Sequence, residues 1–395
     1  MAKRLIHKIA VFSAIAALAT ACVYPYETEV MQVASLLVVD GGIYVGEEST
    51  FTLSYLSSLS VLDDEDALVP RSAELWVESD GGKKYPGVLQ EGTTNVFTVN
   101  LTDAPDNEGY RLRITNNDTG KHYSTDWKQV RKPAVIDDLS YNADPESDHL
   151  SVAMSMHGVE GSHYRWTYSE TWEYHAKLRA WYYYIPATGL QKTGTVVPFE
   201  GNENLYYCWD NEESSEILLF DTSSQTDNRF KDLEFHTVDR SSNKLQIMYY
   251  VKVALESLDE EGYVYWKTMK ENNYNQNTIF SPTPSEVRGN IVCEEDPSEL
   301  VMGYVNVARR ASRDLFFNNI LQGYYINPKP HLPDAVYHPE EEWEGLYRKG
   351  FVPIGWFFEL ETLTSGYTWA EQQCADCRWD GGTKNKPAFW PNDDI

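Results

Sequence analysis

Short runs of alternating apolar and polar residues dominate the first third of the chain. They occupy residues 35–39, 49–56, 73–78, 95–101 and 110–116. Turn residues rich in glycine, aspartate and asparagine separate these runs, as at Ser79-Asp80-Gly81-Gly82. Alternation places the apolar side chains on one face of a strand, and many short strands at this spacing are typical of a sandwich. The pattern therefore predicts an immunoglobulin-like β-sandwich over residues 33–132.

A second, larger region begins after Arg131-Lys132-Pro133 and covers residues 133–395. Its clearest element is the segment 163–175, in which one face carries Glu170 and five aromatic residues. These are Tyr164, Trp166, Tyr168, Trp172 and Tyr174. We expect a long strand whose aromatic face is buried against another sheet. The aromatic run 181–184 follows closely and is predicted to be its hairpin partner.

One helix is predicted near residues 258–273. Ser257 and Glu260 form a capping-box pattern at its start. Aromatic and apolar side chains follow at three- and four-residue spacing, namely Tyr265, Trp266 and Met269. This spacing predicts that one face of the helix packs on a sheet.

After the helix, strands are expected to resume at residues 288–293 and 300–309. The proline-rich residues 327–345 are typical of an irregular loop. The predicted fold class is therefore mainly β. It consists of an N-terminal immunoglobulin-like sandwich followed by a larger β-rich domain, at 133–395, with one or two packed helices.

The first 21 residues have the composition of an export signal. A basic start precedes an apolar stretch from Ile9 to Ala19, and small residues stand directly before Cys22. The apolar stretch is shorter than the roughly 20 residues that a membrane-spanning helix needs. A cysteine at this point is the residue that bacteria lipidate. We therefore predict a signal peptide at 1–21, lipidation of Cys22, and a tether at 22–32, with the acyl chains forming a stable membrane anchor.

The chain is strongly acidic, with 60 Asp and Glu residues against 33 Lys and Arg and a net charge of −27. Removal of residues 1–21 takes away three basic and no acidic residues, which leaves 30 basic side chains. Such a surface repels phosphate groups and anionic lipid headgroups. The composition argues against nucleic acid as a partner, and it leaves the lipid anchor to hold the protein at the membrane.

Four further cysteines follow Cys22, namely Cys208, Cys293, Cys374 and Cys377. In an exported protein they allow two disulfides with three connectivities. We expect a local Cys374–Cys377 bridge and a longer Cys208–Cys293 bridge. The Cys-x-x-Cys spacing also fits half a zinc site or a redox pair. No second ligand pair completes a zinc site, however, and the surrounding sequence is not thioredoxin-like.

Motifs of common enzymes are absent from the sequence. It contains no Gly-x-Ser-x-Gly, no His-Glu-x-x-His and no phosphate-binding glycine-rich loop. Glu170 and Glu173 are the one carboxylate pair that we nominate for glycoside cleavage, although they alternate faces of the predicted strand. The acidic residues 63–66 lack the spacing of a calcium-binding EF-hand loop. We therefore predict no catalytic residue, no cofactor and no metal site.

Aromatic residues are abundant, with 27 Tyr and 12 Trp. Most are expected in the core and in cross-strand pairs, whereas an exposed subset would form a stacking platform for sugars or peptide side chains. The candidates for ligand or partner contacts are Trp181, Tyr182, Tyr183, Tyr184 and Trp209.

Several of these segments, taken together, resemble one known family. They are Cys22 with the small residues before it, Leu37-Val38-Val39-Asp40-Gly41, the block from Tyr164 to Glu173, Cys208-Trp209, the helix with Tyr265-Trp266, Pro284 followed by Gly289-Asn290-Ile291, and the ending Cys374-Ala375-Asp376-Cys377-Arg378 with Lys386-Pro387-Ala388-Phe389-Trp390-Pro391. In this order, and over nearly the whole mature chain, the set resembles the Bacteroidetes outer-membrane lipoprotein family known as domain of unknown function 4249. Cys293 departs from the family pattern, which weakens its assignment as the partner of Cys208.

The resemblance implies no catalytic activity. It implies an accessory lipoprotein, anchored by lipid in the outer membrane and exposed on the cell surface. Its partners would be a TonB-dependent transporter of the starch-utilisation type and the substrate-binding lid lipoprotein of that transporter. On this hypothesis the protein serves nutrient uptake, and its aromatic side chains bind an oligosaccharide or an oligopeptide. Two alternatives remain, namely a surface enzyme that cleaves glycans or peptides and a purely structural subunit of an outer-membrane assembly complex.

Overall fold

The computed structural model describes most of the chain. The described residues are 36–56, 69–159, 161–189, 191–200, 205–225, 227–275, 287–327 and 335–391. The predicted signal peptide, the lipidation site Cys22, the whole predicted tether at 22–32 and the acidic residues 63–66 therefore lie outside the described residues. Within the described part, no helix combines the length and the apolar character that crossing a bilayer requires.

Strands make up most of the regular structure, which confirms the predicted fold class. The first region contains β1 (Leu36–Gly41), β2 (Ile43–Tyr44), β3 (Glu48–Leu56), β4 (Ala73–Ser79), β5 (Lys84–Leu89), β6 (Val96–Asn100), β7 (Gly109–Asn116), β8 (Lys121–Thr125) and β9 (Lys128–Gln129). The middle of the chain contains β10 (Val135–Asn142), β11 (His149–His157), β12 (His163–His175), β13 (Tyr182–Ile185), β14 (Thr195–Pro198), β15 (Tyr207–Glu213), β16 (Leu218–Asp221), β17 (Arg229–Asp239) and β18 (Met248–Leu258). The last part contains α1 (Glu260–Asn275), β19 (Ile291–Cys293), β20 (Val307–Ala308), β21 (Arg310–Asn318), α2 (Asn319–Gln322), β22 (Val336–Tyr337), α3 (Trp343–Arg348), β23 (Phe351–Glu359), β24 (Thr364–Glu371) and α4 (Gln372–Ala375).

Eight strands of the first region and β19 form one nine-stranded sheet. The order of its strands is β1-β3-β6-β5-β4-β7-β8-β19, and β9 pairs with β7. Alternate side chains along most of these strands are buried, for example Phe51 and Leu53 on β3 and Leu112 and Ile114 on β7. Because alternate residues point to one side, the apolar faces of most of these strands contribute to a single shared core.

The middle of the chain forms a sandwich of two sheets. A three-stranded sheet, β10-β11-β17, packs on a five-stranded sheet in which β15-β12-β18-β21 are neighbours and β16 also pairs with β12. Strand β12 spans His163–His175, and its aromatic face is buried together with Val152 and Met154 of β11. The predicted long strand with a buried aromatic face is thus confirmed.

The predicted hairpin between β12 and the aromatic run 181–184 is wrong. Strand β12 pairs with β15, β16 and β18. The aromatic run instead enters β13, which pairs with β14 in a separate two-stranded ribbon. The aromatic face of β12 is already covered inside the sandwich, so the second run is free to form a different surface.

Helix α1 begins at Glu260, two residues later than predicted. Asp259 caps it, because its carboxylate accepts a hydrogen bond from the Gly262 N–H at 2.8 Å. Ser257 belongs to β18, and its hydroxyl donates to the carbonyl of Lys132 at 2.8 Å. The capping-box prediction for Ser257 is therefore wrong. Tyr265 is buried as expected.

Residues 287–309, which we call the return segment, lead the chain back to the first sheet. Strand β19 pairs with β8, and β20 pairs in parallel with β2. Ile291, Val301 and Val305 are buried in the first core. The strand predicted at 288–293 is present in shortened form, whereas only β20 lies within the strand predicted at 300–309. The first core thus includes residues far beyond the sequence boundary at 132.

A small third unit carries the site described below. It contains the β13–β14 ribbon, the three-stranded sheet β22-β24-β23 and the short helices α3 and α4. Ala180, Ile354, Ala370 and Ala375 form its buried centre. Part of the predicted irregular loop at 327–345 is ordered here, because it contains β22 and the first residues of α3.

Candidate functional site

A cavity of about 400 Å³ opens in the third unit between the β13–β14 ribbon and helices α3 and α4. Its wall is mainly aromatic and aliphatic. The lining residues are Ala180, Tyr182, Tyr183, Tyr184, Phe199, Leu205, Tyr347, Val352, Gln372, Ala375 and Asp376. The volume lies within the range of sites for small organic ligands, which are mostly apolar with a few polar groups. We call this feature the aromatic cavity.

Backbone hydrogen bonds fix the wall formed by the ribbon. Within the ribbon, Tyr182 lies opposite Pro198 and Tyr184 lies opposite Val196. The N–H of Trp181 donates to the carbonyl of Ile354 at 2.9 Å, which connects the ribbon to β23. Because both sides of the ribbon are held, the tyrosine rings are positioned before any ligand arrives.

Two polar groups of the aromatic cavity, the hydroxyl of Tyr184 and the carboxylate of Asp376, already have partners. The Tyr184 hydroxyl donates to Glu344 at 2.9 Å and accepts from the Gly194 N–H at 2.7 Å. Asp376 accepts hydrogen bonds from the guanidinium of Arg378 at 2.8 and 2.9 Å. Burial raises the pKa of Tyr184, so its hydroxyl stays protonated at neutral pH. The rest of the wall is mainly apolar, and the hydroxyls of Tyr182, Tyr183 and Tyr347 and the amide of Gln372 add further polar groups to it.

The β23–β24 hairpin extends the aromatic surface beyond the cavity. Its side chains Trp356, Phe358, Leu360 and Leu363 are 55%, 57%, 76% and 75% exposed. We call these four residues the hairpin strip. Ring contacts connect the strip to the cavity, since the centroid of Tyr367 lies 4.9 Å from Trp356 and 4.9 Å from Tyr182. The cavity and the strip thus form one continuous surface.

The structure separates the five aromatic candidates from the sequence into three groups. Tyr182, Tyr183 and Tyr184 line the aromatic cavity. Trp181 is 55% exposed and lies against Arg179 beside the cavity. Trp209 does not line it, because β15 places Trp209 next to Cys208, where its backbone exchanges hydrogen bonds with Thr383.

Other residues of this surface were not identified from the sequence. Phe199, Tyr347 and Asp376 reach the cavity from distant segments, and no local pattern connects them. The hairpin strip had a usable signal, because Trp356, Phe358 and Leu360 recur at every second position. That period indicates a strand with one apolar face.

A second cluster of chemical interest surrounds Glu170 in the core of the sandwich. One oxygen of Glu170 contacts His236 Nε2 at 2.9 Å and accepts from Tyr249 at 2.7 Å, and the other accepts from Lys244 at 2.7 Å. The hydroxyl of Tyr168 lies 2.9 Å from His236 Nδ1. A cavity of about 410 Å³ reaches Tyr168 and His236.

The ionisation of these groups favours a structural network. Burial raises the pKa of Glu170, but the hydrogen bonds from His236, Lys244 and Tyr249 outweigh it, and the pKa falls to about 2. Burial also raises the pKa of Tyr168 above its usual range, so its hydroxyl is a poor nucleophile. Glu173, the other acid of the nominated pair, contacts Trp390 Nε1 at 3.0 Å and lies on the opposite face of β12.

The cysteine pairing differs from both predicted bridges. Cys208 is bonded to Cys377, whereas Cys293 and Cys374 are free and buried. The Cys374–Cys377 and Cys208–Cys293 predictions are therefore wrong. The bridge joins β15 to the segment after α4, and Cys374 instead packs in the interior of the third unit. Among the described residues, no group of three or more His, Cys, Asp or Glu side chains is arranged to hold a metal ion.

One solved structure has a weak similarity to the chain. A DUF4785 family protein from Legionella pneumophila is 10% identical, with a TM-score of 0.17, over 55% of this chain and 51% of that protein. The chain thus spans about half the length of that protein. Comparison with curated proteins finds no match. A family model described as a domain of unknown function, DUF4249, matches residues 23–314, and the chain belongs to this family.

Proposed function

We propose that the protein is a surface-anchored accessory lipoprotein of a TonB-dependent outer-membrane uptake complex of the starch-utilisation type. It is held by lipid on Cys22, docks on the transporter and its lid lipoprotein, and binds an apolar part of the nutrient. The anchor rests on the export signal and on the cysteine that follows it. The observation that carries the proposal is the continuity between the exposed hairpin strip and the aromatic cavity.

The cavity supports the ligand-binding half of this proposal. Its rings are prepositioned by the ribbon, and the hydroxyl of Tyr184 and the carboxylate of Asp376 are satisfied internally. An entering apolar group therefore leaves these two groups with their partners. Aromatic contacts of this kind contribute about 1 kcal/mol each beyond the area that they bury.

The hairpin strip supports the docking half. Soluble proteins rarely leave several large apolar side chains exposed together, and such patches mark partner surfaces. Exposed Glu359 and Glu361 lie among the strip residues. The strip therefore fits a partner surface that is apolar with basic margins, and we assign it to the transporter complex. A partner seated here lies beside the mouth of the cavity, where captured nutrient could be passed on.

Co-purification from the native outer membrane tests the proposal. The full-length chain with a C-terminal tag is expressed in its host, solubilised in mild detergent and captured. We expect a TonB-dependent transporter, identified by mass spectrometry, to co-purify in near-stoichiometric amount. The double variant Trp356→Ser/Phe358→Ser should retain at most about one tenth of it, because the strip loses its apolar area.

A matched control is available on the first sheet. Leu89 ends β5 and Trp127 lies between β8 and β9, outside the third unit, and they are 45% and 43% exposed. The variant Leu89→Ser/Trp127→Ser should retain the transporter. Absence of any such transporter from the wild-type sample, or equal recovery with the hairpin variant, would contradict the proposal.

A further inference from the structure

Two pairs of aromatic rings line the aromatic cavity and keep part of their faces free. The ring centroid of Tyr183 lies 5.2 Å from that of Phe199, and the centroid of Tyr347 lies 5.2 Å from that of Tyr184. The rings of the two pairs are tilted by 45° and 51°, so neither partner covers the whole face of the other. Tyr183 and Tyr347 are 37% and 40% exposed. The cavity therefore offers ring surface on which a ligand can stack.

The same wall carries polar groups that have no hydrogen-bond partner among the described residues. These are the hydroxyls of Tyr182, Tyr183 and Tyr347 and the side-chain amide of Gln372. Hydroxyl and amide groups can both donate and accept hydrogen bonds. A purely apolar ligand would displace water from these groups without replacing its hydrogen bonds, which costs free energy. The wall thus favours a ligand that combines an apolar face with several hydrogen-bonding groups.

The charge of the wall selects against an anionic ligand. Among the described residues that line the cavity, Asp376 is the one charged side chain, and its carboxylate accepts hydrogen bonds from Arg378 at 2.8 and 2.9 Å. No lysine or arginine side chain of this lining is therefore available to pair with an anion. The chain as a whole has a net charge of −27, and the field of such a protein repels anions. The ligand that suits this wall is uncharged.

We propose that the aromatic cavity binds an uncharged pyranose ring of an oligosaccharide. One face of such a ring consists of C–H groups, which lie favourably against the electron-rich face of a tyrosine ring. Its hydroxyl groups need partners when they are buried, and the hydroxyls of Tyr183 and Tyr347 and the amide of Gln372 supply them. The C–H face is then the apolar part of the nutrient. This inference rests on the ligand-binding half of the proposed function and names its ligand class.

Calorimetry with neutral and anionic sugars tests the inference. The full-length protein in detergent is titrated with the neutral trisaccharides maltotriose, cellotriose and mannotriose, and with the anionic trigalacturonic acid. We expect at least one neutral trisaccharide to bind, and trigalacturonic acid to bind at least about tenfold more weakly. Binding of none of the neutral trisaccharides, or equally tight binding of trigalacturonic acid, would overturn the inference.

Paired variants separate stacking from hydrogen bonding. Tyr183→Phe/Tyr347→Phe keeps both rings and removes only their hydroxyls, so it should weaken binding of the neutral trisaccharide about tenfold. Tyr347→Ala removes the ring as well and should weaken binding more than Tyr347→Phe does. Tyr207 is the matched control, because it is also 37% exposed and does not line the cavity. Tyr207→Phe should leave the affinity unchanged.

The outcomes distinguish the ligand class from the proposed function. Unchanged sugar affinity in Tyr183→Phe/Tyr347→Phe would overturn the inference, because the hydroxyls would then make no contact with the ligand. Binding of the apolar peptide Ala-Ala-Phe amide, together with binding of no trisaccharide, would also overturn it and leave the cavity its ligand-binding role. Co-purification of the transporter is measured separately, so it shows whether the accessory role stands when the sugar inference fails.

Discussion

At the scale of single residues, Glu170 shows how a charge can be kept in an apolar core. Its side chain is 4% exposed, and both carboxylate oxygens are occupied by His236, Lys244 and Tyr249. Lys244 also contacts the exposed Glu212 at 2.7 Å, so the network reaches the surface. Each buried polar group has a partner, which is the condition under which such a network stabilises a fold.

Glu170→Gln should therefore destabilise the protein in a pH-dependent way. The pKa of Glu170 is about 2 in the folded chain, against an ordinary value of 4.5. When the pKa of a carboxyl group is lower in the folded protein than in the unfolded chain, the ionised group stabilises the fold at any pH above the unfolded pKa. This stabilisation is lost as the pH falls through the folded pKa. The shift corresponds to about 3 kcal/mol at neutral pH.

Urea denaturation at a series of pH values measures this effect. The free energy of unfolding of the wild type should fall between about pH 4.5 and pH 2 more steeply than that of Glu170→Gln. The exposed Glu234 on β17 offers the matched control, because Glu234→Gln should change stability by less than about 0.5 kcal/mol. Parallel pH profiles for wild type and Glu170→Gln would show that Glu170 is not held ionised.

At the scale of elements, Asp259 connects a helix start to two other parts of the fold. Besides capping α1 through Gly262, it accepts from Lys128 of β9 at 2.5 Å and from Tyr304 of the return segment at 2.5 Å. Burial raises the pKa of Asp259, but these partners outweigh it and lower the pKa below its usual value. One carboxylate thus joins the helix to the first sheet.

Asp259→Ala should cost more than the loss of an ordinary cap. An N-cap contributes about 1 kcal/mol, and removal of the carboxylate also leaves the largely buried Lys128 without its closest partner, so we expect a loss of about 2–4 kcal/mol. Thermal unfolding followed by circular dichroism measures it. Glu271→Ala, at an exposed position on the same helix, is the control and should be nearly neutral. A loss below 1 kcal/mol for Asp259→Ala would contradict the assigned cap and its ionic contacts.

The sequence predicted elements well where the signal is local. The alternation in 163–175 located β12, because every second side chain must face the core. The capping-box interpretation failed at Ser257, because that serine lies in β18 and its hydroxyl donates a hydrogen bond to the carbonyl of Lys132. Lys132 is more than 100 residues away in the chain, so no local pattern indicates this contact. For the candidate site, the tyrosines of β13 were predicted, but Tyr347 and Asp376 were not. Nothing in the local sequence indicates that they meet.

At the scale of the whole molecule, the chain crosses between its two large cores more than once. The return segment enters the first core through Val301 and Val305 and then continues directly into β21 of the sandwich. Glu256 of β18 lies at this junction, where it contacts Arg165 at 2.9 Å and Asn306 at 2.8 Å. A linear division at residue 132 could not anticipate this, because contacts between distant segments leave no periodic signal in the sequence.

The disulfide is the other long-range connection that could not be predicted from the sequence. Cys208 and Cys377 are separated by 169 residues in the sequence. Cys374 lies much closer to Cys377 in the sequence, yet it is not the disulfide partner of Cys377. Four cysteines permit three pairings, and the choice depends on which side chains the fold brings together. Here β15 and the segment after α4 meet through the Trp209–Thr383 backbone pair, which places Cys208 beside Cys377.

Loss of this bridge should destabilise the protein substantially. A cross-link over 169 residues restricts the unfolded chain by about 5 kcal/mol in the loop-entropy model. We expect Cys208→Ala/Cys377→Ala to lose most of that amount in guanidinium denaturation, whereas Cys374→Ala should lose only about 1 kcal/mol, the cost of a small core truncation. If Cys374→Ala were as damaging as Cys377→Ala, the local Cys374–Cys377 bridge would be the native one. Peptide mapping without reduction decides the matter independently, because only the long-range pairing yields a fragment that joins residue 208 to residue 377.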